Sequence, residues 1–169
     1  MELDRVDHLL AKLDAAGADL DLEVEGIVDR LHAISKRLRW ALKETLEEYG
    51  ITPEDWGVMT TLRLGSEIHC STPGELASDL ELSSGAMTSR LDRLERAGYV
   101  RRLPDPSDRR GVLVELTPAG RDAWENAIAV QGRKEAFFAS ALTKAEQKKL
   151  NDLLRKIAVA LEATATPAR

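Results

Sequence analysis

The sequence has little that could support enzymatic, metal or redox chemistry. Its one cysteine, Cys70, cannot form an internal disulfide, which fits a reducing compartment. It contains no phosphate-binding glycine loop, nucleophile elbow, paired-histidine motif or separated carboxylate pair in a supporting context. The three histidines, His8, His32 and His69, do not stand at the spacing of metal ligands. The sequence therefore predicts a protein that is not an enzyme and that needs no metal ion or cofactor.

Aromatic residues and long apolar runs are also scarce. Phe, Trp and Tyr make up 4% of the 169 residues, whereas 43% of the residues are hydrophobic and 31% are charged. This composition favours one mostly helical domain with a core of Leu, Ala, Ile and Val. No apolar run approaches the roughly 20 residues of a membrane span, and the first residues, MELDRVD, do not resemble a signal peptide. We therefore expect a cytoplasmic protein.

The most informative stretch, residues 83–117, predicts a helix followed by a short hairpin. Ser83 is a good helix N-cap and Gly98 is a good helix end. Between them an apolar stripe recurs at helical spacing, formed by Met87, Leu91 and Leu94. After Gly98 the apolar period changes to two, which predicts a half-buried strand over 112–116 with a partner strand over 99–103.

The other side of this helix carries small and basic residues, and the hairpin tip carries arginine. Small side chains near the start of a helix allow it to approach a large polyanion closely. In the turn at 105–111, Arg109 and Arg110 stand at an exposed tip. A helix of major-groove size beside an arginine-bearing hairpin predicts a winged helix-turn-helix. The helix residues facing away from the apolar stripe are Ser84, Gly85, Thr88, Ser89, Arg90 and Arg93.

The distribution of charge supports this interpretation, although the net charge of the chain is −5. Residues 83–111 contain seven arginines and four acidic residues, a local charge of +3, so the rest of the chain carries −8. A basic surface on an otherwise acidic body is what contact with phosphates would require. The alternative is that these arginines belong to an ordinary solvated surface.

Three short segments resemble the MarR family of bacterial transcription regulators. They are LDRLE at 91–95 with Gly98 after it, DRRG at 108–111, and LTPAG at 116–120. The resemblance extends more loosely from about Val24 to the end of the chain. It implies a mainly α fold with a small β-wing, in which 51–117 form the DNA-binding domain of a sequence-specific transcriptional regulator, by default a repressor. The alternative is a winged-helix module that binds protein without DNA.

Regular start signals predict the remaining helices. Threonine followed by proline starts a helix well, because threonine caps the end and proline lacks only an amide proton that would stay unpaired. Such pairs are Thr52-Pro53, Thr72-Pro73 and Thr117-Pro118. A brief strand is expected at 68–71, and a capping box begins at Thr143. The final residues, 164–169, would be a frayed tail.

The N-terminal part predicts a short helix and a long one. A helix over 3–16 would lie within an N-terminal extension of residues 1–22, and 19–25 would be an acidic link. A sustained apolar stripe then predicts a long helix from Ile27 to near Gly50.

The apolar stripes at 23–50 and 118–163 exceed what a small winged domain needs for its own core. They would be buried most simply against a second copy, and the resemblance implies the same, since terminal helices interlock into a two-fold homodimer in the family. Such a dimer would place its recognition helices roughly 34 to 36 Å apart and bind a pseudo-palindromic operator in double-stranded DNA. The alternative is a monomeric bundle with internally paired stripes.

Contacts to DNA can be assigned to residues of the helix and the hairpin. Arg93 is a candidate that could instead pair with its neighbours Asp92 or Glu95. Arg110, with Arg109, would enter the minor groove, whose negative potential attracts guanidinium. The resemblance implies that Asp108 holds an arginine of the wing in place. The expected helix contacts to base edges or nearby phosphates are Ser84, Thr88, Ser89, Arg90 and Arg93.

The resemblance also implies a small aromatic or anionic effector between the dimer helices and the DNA-binding domain. A cation and flat rings for such a molecule could come from His32, Arg39, Trp40 and Trp56. The alternative is that the Trp residues pack in the core and the Arg pairs with a surface acid. The N-terminal helix and the acidic residues after it loosely resemble the urate-responsive branch of the family. However, the ligand-stacking Trp of that branch falls at Leu13 and its acidic residue at Gly57, which argues against urate.

Overall fold

The computed structural model describes residues 2–65, 70–108 and 110–165. This part of the chain contains seven α-helices and three short β-strands. The helices are α1 (Arg5–Ala15), α2 (Leu22–Glu47), α3 (Pro53–Leu64), α4 (Pro73–Asp79), α5 (Ser84–Arg96), α6 (Pro118–Ala139) and α7 (Lys144–Ala165). The strands are β1 (Cys70–Ser71), β2 (Val100–Pro104) and β3 (Val112–Leu116). No helix in these ranges is long and apolar enough to cross a membrane.

The predicted start signals of the helices are confirmed by the hydrogen bonds at each cap. The Thr52 hydroxyl oxygen accepts the backbone N–H of Asp55 at 3.1 Å, which satisfies an amide that the first turn of α3 cannot pair internally. Thr72 does the same for α4. Before α7, the carboxylate of Glu146 accepts the backbone N–H of Thr143 at 2.8 Å. These local bonds fix where the helices begin.

The chain between α3 and the wing forms a helix-turn-helix. Leu82 N–H donates to the carbonyl of Ala77 at 2.8 Å, and Glu81 adopts a left-handed backbone conformation with φ 52°. At the start of α5, the Ser83 hydroxyl oxygen accepts the N–H of Ala86 at 3.3 Å. At its end, Gly98 has φ 78°, which favours glycine and turns the chain into β2.

The three strands form an antiparallel sheet in the order β1-β3-β2. In the hairpin of β2 and β3, Val100 stands opposite Leu116 and Leu103 opposite Leu113. We call this hairpin with its turn, Val100–Leu116, the wing. The described part of the strand expected at 68–71 is β1, and residues 68 and 69 lie outside the described ranges.

The core lies between α3, α4, α5, the sheet and the first half of α6. The predicted stripe of α5, Met87, Leu91 and Leu94, is buried there, each residue being 1% exposed. Full burial of such a side chain contributes roughly 1.5 to 3 kcal/mol. The stripe therefore fixes which side of α5 faces inward and leaves the opposite side in solvent.

The start of α2 corrects the prediction of an acidic link at 19–25. The Asp21 carboxylate accepts the backbone N–H groups of Glu23 at 3.0 Å and Val24 at 3.2 Å, so the helix begins at Leu22. Asp is a favourable N-cap, and acidic residues in a first turn interact well with the helix dipole. The acidic run that was predicted to be a link is in part the helix start.

Helix α1 is fastened to α2 by Arg30. Its Nε lies 2.9 Å from Asp4 Oδ2, and its Nη2 lies 2.5 Å from Asp7 Oδ1. Hydrogen bonds from Arg30 and from the backbone of Asp7 lower the pKa of Asp4 to about 2. A Cβ added at Gly26 would lie 3.2 Å from Leu10 Cδ1, so glycine permits this close approach of the two helices.

The chain divides into two compact units, Met1–Ala129 and Val130–Arg169. The first contains α1 to α5, the sheet and the first part of α6. In the second, the Gln147 side chain donates to the carbonyls of Ala139 at 2.9 Å and Leu142 at 3.1 Å and so stabilises the turn between α6 and α7. Helix α7 continues to Ala165, so positions 164 and 165 of the expected tail are helical, and 166–169 lie outside the described residues.

Candidate nucleic-acid interface

The first turns of α5 present small polar side chains at the surface. Ser84, Thr88 and Ser89 are exposed, and a Cβ added at Gly85 would meet nothing within 4 Å. The Thr88 hydroxyl donates to the carbonyl of Ser84 at 2.9 Å. This side of the helix is one open surface, formed by Ser84, Gly85, Thr88, Ser89, Asp92, Arg93 and Arg96. The predicted small contact residues therefore lie together on one accessible surface.

Two arginines of α5 reach the first turn of α3. Arg90 Nη1 donates to the backbone carbonyl of Glu54 at 3.2 Å, which engages one of the five N–H donors of its guanidinium. One turn further, Arg93 Nη2 lies 2.6 Å from Asp55 Oδ1. The partner of Arg93 is thus Asp55 on another helix, and the predicted alternative of pairing with Asp92 or Glu95 is wrong.

Those two acidic neighbours instead bind Arg102 of the wing. Arg102 Nη2 lies 2.7 Å from Asp92 Oδ1, its Nη1 donates to Glu95, and its backbone N–H lies 3.3 Å from Glu95 Oε1. The hydrogen bond to Asp92 and the charge of Glu95 raise the pKa of Arg102. The single positive charge of Arg102 offsets one of these two negative charges. It also ties the wing to α5.

The turn of the wing is organised by two aspartates. Asp105 Oδ1 accepts the backbone N–H of Ser107 at 2.8 Å and its hydroxyl at 2.7 Å, and these bonds lower the pKa of Asp105. Asp108 Oδ1 accepts the backbone N–H of Arg110 at 2.9 Å. A Cβ at Gly111 would lie 2.9 Å from Asp105 Cβ, so a side chain there would disturb the turn. These bonds constrain the backbone of the described turn residues, 105–108 and 110–111.

Arg110 is the wing arginine that the structure describes in this turn. The Arg110 side chain is exposed, while Arg109 lies outside the described residues. Asp108 was predicted to hold an arginine in place, and its described contact with Arg110 is through the backbone N–H. This Asx-type bond fixes the main chain from which the Arg110 side chain extends.

The four residues predicted to bind an effector lie on α2 and α3. His32 and Arg39 are exposed on α2, Trp40 beside them is 65% exposed, and Arg39 Nη1 lies 3.9 Å from Glu54 Oε1. Trp56 is half-buried and packs against the core. Among the described residues, no group of three or more His, Cys, Asp or Glu side chains could hold a metal ion.

Trp56 belongs to an aromatic stack that the sequence pattern did not indicate. Its ring stacks on Trp124 of α6 with centroids 5.8 Å apart and planes inclined by 11°. The Arg63 guanidinium lies 5.6 Å from the Trp124 ring centroid, and Trp124 Nε1 donates to Thr60 Oγ1 at 3.1 Å. The stack joins α3 to α6 within the first unit. Spacing along each helix does not show that these two rings meet.

This arrangement defines the class of the protein as a winged helix-turn-helix. Two short helices joined by a tight turn are followed by an antiparallel wing, and the second helix exposes its small first turns. The predicted mainly α fold with a small β-wing is confirmed.

Comparisons with known proteins specify the family. A family model described as MarR family matches residues 51–112. The multiple antibiotic resistance protein MarR of Escherichia coli is 34% identical over 141 residues, which cover 83% of this chain and 96% of that protein. The HTH-type transcriptional regulator PecS of Dickeya dadantii is 29% identical over 139 residues, covering 82% and 84%. The chain belongs to the MarR family, whose members are DNA-binding transcriptional regulators.

A solved structure agrees with these sequence comparisons. A mutant of MarR from Escherichia coli, crystallised in complex with operator DNA, matches the chain with a TM-score of 0.68 and 34% identity. The match covers 83% of this chain and 99% of the MarR chain. The family that the three sequence segments indicated is thus confirmed.

Proposed function

We propose that the protein is a ligand-responsive repressor that binds a pseudo-palindromic operator in double-stranded DNA as a homodimer. The observation that carries the proposal is the accessible surface at the start of α5 beside an arginine-tipped wing. Small polar residues there allow a close approach to base edges, and arginine is attracted by the potential of a narrow minor groove. A dimer bound at a promoter would block polymerase, and the bacterial cytoplasm is where it would meet that DNA.

The direct contacts are divided between the helix and the wing. Arg90 keeps further N–H donors beside its bond to the Glu54 carbonyl and is a candidate for phosphate contact. Arg110, with Arg109, would enter the neighbouring minor groove, and Asp108 would support the wing backbone. The residues proposed to read or approach base edges are Ser84, Thr88 and Ser89.

The homodimer is proposed from apolar side chains that remain exposed. On α2, one stripe of five aliphatic residues is between 36% and 52% exposed. They are Val24, Ile27, Val28, Leu31 and Ile34. A second apolar stripe lies on α7, with Leu150, Leu153 and Ile157 exposed. A second copy would remove this surface from water, at roughly 25 cal/mol per Å². We accordingly assign 23–50 and 118–163 to dimerisation, 51–117 to DNA binding and 1–22 to an N-terminal extension.

Selection of duplexes from the genome of the source organism tests the function. The full chain should recover a pseudo-palindromic site, and its affinity in gel-shift titrations should fall steeply as salt increases, because phosphate contacts release counterions. Equal and weak binding to every duplex would instead favour the alternative of a winged-helix module that binds protein.

The effector is a separate part of the proposal, supported by the exposed Trp40 ring on α2. Trp40 and Arg39 are neighbours on α2 and offer stacking and charge to a small aromatic anion, with His32 and Trp56 as further candidates. Benzoate is a suitable first probe of this chemistry. It should quench tryptophan fluorescence and release the selected duplex, and Trp40→Leu should weaken both effects. A Trp40→Leu variant that responds as the unaltered protein does would remove Trp40 from the site.

A further inference from the structure

We propose that Asp55 and Arg93 form a positioning pair that sets the orientation of α5, so that Arg93 acts through Asp55 and does not contact phosphate. The inference rests on the proposed function, because it concerns how that surface is presented to duplex DNA. It assigns to Asp55, a residue outside the DNA surface, a role in sequence discrimination.

The geometry of the pair is two-pronged. Arg93 Nη2 lies 2.6 Å from Asp55 Oδ1, and Arg93 Nε lies 3.3 Å from Asp55 Oδ2. A planar guanidinium that binds both oxygens of a carboxylate fixes an angle as well as a distance. The two residues are 38 positions apart in the chain, so the pair joins the recognition helix to α3.

Asp55 is itself held firmly. It is only 2% exposed, and Oδ2 also accepts the backbone N–H of Thr52 at 3.3 Å as half of the capping box of α3. A buried carboxylate without a partner is strongly unfavourable, so the folded domain keeps Asp55 and Arg93 together. The same hydrogen bond, followed by the charges of Asp55 and Glu54, raises the pKa of Arg93.

A second bond acts at the same place. Arg90, one turn before Arg93 on α5, donates to the carbonyl of Glu54, which precedes Asp55 in the chain. Both arginines therefore reach the first turn of α3, and two successive turns of α5 are held against one fixed point. This constrains rotation of α5 about its axis, which would otherwise move Ser84 and Thr88 relative to the base edges. Binding sites depend on placement within about 0.5 Å.

The chemistry of the Arg93 side chain distinguishes a positioning role from a phosphate contact. Its side chain is 44% exposed and lies on the open surface of α5, so a phosphate contact would be sterically possible. Yet its Nε and Nη2 are directed at Asp55, whose charge compensates its own. A phosphate contact needs positive charge, which lysine also supplies. The two-pronged pair needs the planar fork, which lysine lacks.

The test compares Arg93→Lys and Asp55→Asn with the unaltered full chain. The probes are a labelled duplex that the protein selects from a random-sequence pool and a shuffled duplex of the same composition. The measured quantity is a ratio, the dissociation constant for the shuffled duplex divided by that for the selected duplex. We expect both variants to lower this ratio at least about tenfold, with binding to the shuffled duplex changed by less than about threefold. The control is Glu54→Gln, which removes the same charge at the residue before Asp55 and should leave the ratio unchanged.

The ratio separates positioning from a merely structural role. If Asp55→Asn only unfolded part of the sample, affinity for both duplexes would fall together and the ratio would stay constant, which would overturn the inference. Arg93→Lys changes a half-exposed residue and keeps the charge, so it remains a test if Asp55→Asn does not fold. A ratio unchanged in Arg93→Lys would show that charge suffices and would also overturn the inference.

Duplex discrimination by the unaltered protein distinguishes failure of the positioning pair from failure of the proposed function. If it discriminates between the duplexes and the variants do so equally well, the positioning pair is refuted while the proposed function stands. If the unaltered protein binds both duplexes with equal affinity, the proposed function and the inference both fail.

Discussion

Helices α5 and α2 both have an apolar stripe, but the stripe of α5 is buried and the stripe of α2 is exposed. The stripe of α5 is completely buried among residues of the same chain, whereas the stripe of α2 that includes Ile27 and Leu31 remains exposed. Hydrophobic spacing indicates that a helix has an apolar face, but not what covers that face. Burial of the α5 stripe is thus complete within one chain, while the α2 stripe is left exposed, and we propose that a second copy covers it.

The largest effect should follow from removing an apolar side chain from the core. Leu91→Ala should lower the free energy of unfolding by about 2 to 5 kcal/mol, because it leaves a cavity between α5 and its neighbours. Chemical denaturation followed by circular dichroism measures this. The matched control is Leu64→Ala at the end of α3, where the leucine is 66% exposed and the expected change is within about 0.5 kcal/mol. Equal losses in the two variants would abolish the distinction between core and surface.

A charge in the α2 stripe should act on association instead of folding. Leu31→Asp should weaken the homodimer by about 2 kcal/mol, roughly thirtyfold, because an unpaired carboxylate would be buried at the interface. Sedimentation velocity over a range of concentrations gives the dissociation constant. Ala33→Asp adds the same charge at an exposed position on the other side of α2 and should leave association unchanged. If Leu31→Asp dimerises normally, this stripe is not the interface.

Loss of the Arg110 side chain from the wing should affect only DNA binding. Arg110→Ala should weaken binding to the selected duplex at least tenfold, about 1.4 kcal/mol, while the dimer stays intact. A gel-shift titration measures the affinity. Arg155→Ala removes an equal charge from an exposed site on α7 and serves as the control. Unchanged affinity in Arg110→Ala would exclude the wing tip from the interface.

The smallest effect concerns the fastening of α1. The pKa of Asp4 is lowered to about 2 from the ordinary 3.8, so its carboxylate is favoured in the folded state. The contribution of Asp4 to docking of α1 is therefore present above about pH 4 and is lost as the pH falls towards 2. Carboxyl NMR should show the low pKa in the unaltered protein and a return towards 3.8 in Arg30→Ala. Asp105, whose pKa is lowered by Ser107, should titrate alike in both proteins.

Much of the fold could be predicted because its signals are local. A threonine cap is a contact between residues three positions apart, and the stripe of α5 is a regular spacing along one helix. The same logic failed for 19–25, where an acidic run suggested a link although Asp21 caps α2. Acidic residues are common both in links and in first helical turns, so composition could not distinguish the two.

The long-range contacts of α5 could not be predicted. Arg93 has acidic neighbours in sequence, but its partner is the distant Asp55, and those neighbours bind Arg102. Which ion pairs form depends on how helices and strands pack, and no periodicity encodes that packing. The stack of Trp56 on Trp124 has the same origin, since each ring alone looks like an ordinary core residue. The sequence indicated the exposed side of α5 but not the bonds between α5 and its neighbours.

Hydroxyl-radical footprinting on the selected duplex tests whether the protein binds DNA as a symmetric dimer. Two copies of α5 and its wing should protect two symmetry-related segments whose centres lie about one helical turn, roughly 34 to 36 Å, apart. Cleavage should be reduced in both segments at the same protein concentration, because the dimer binds as a unit. A single protected segment without symmetry, or uniform cleavage along the duplex, would show that the protein does not bind DNA as a symmetric dimer.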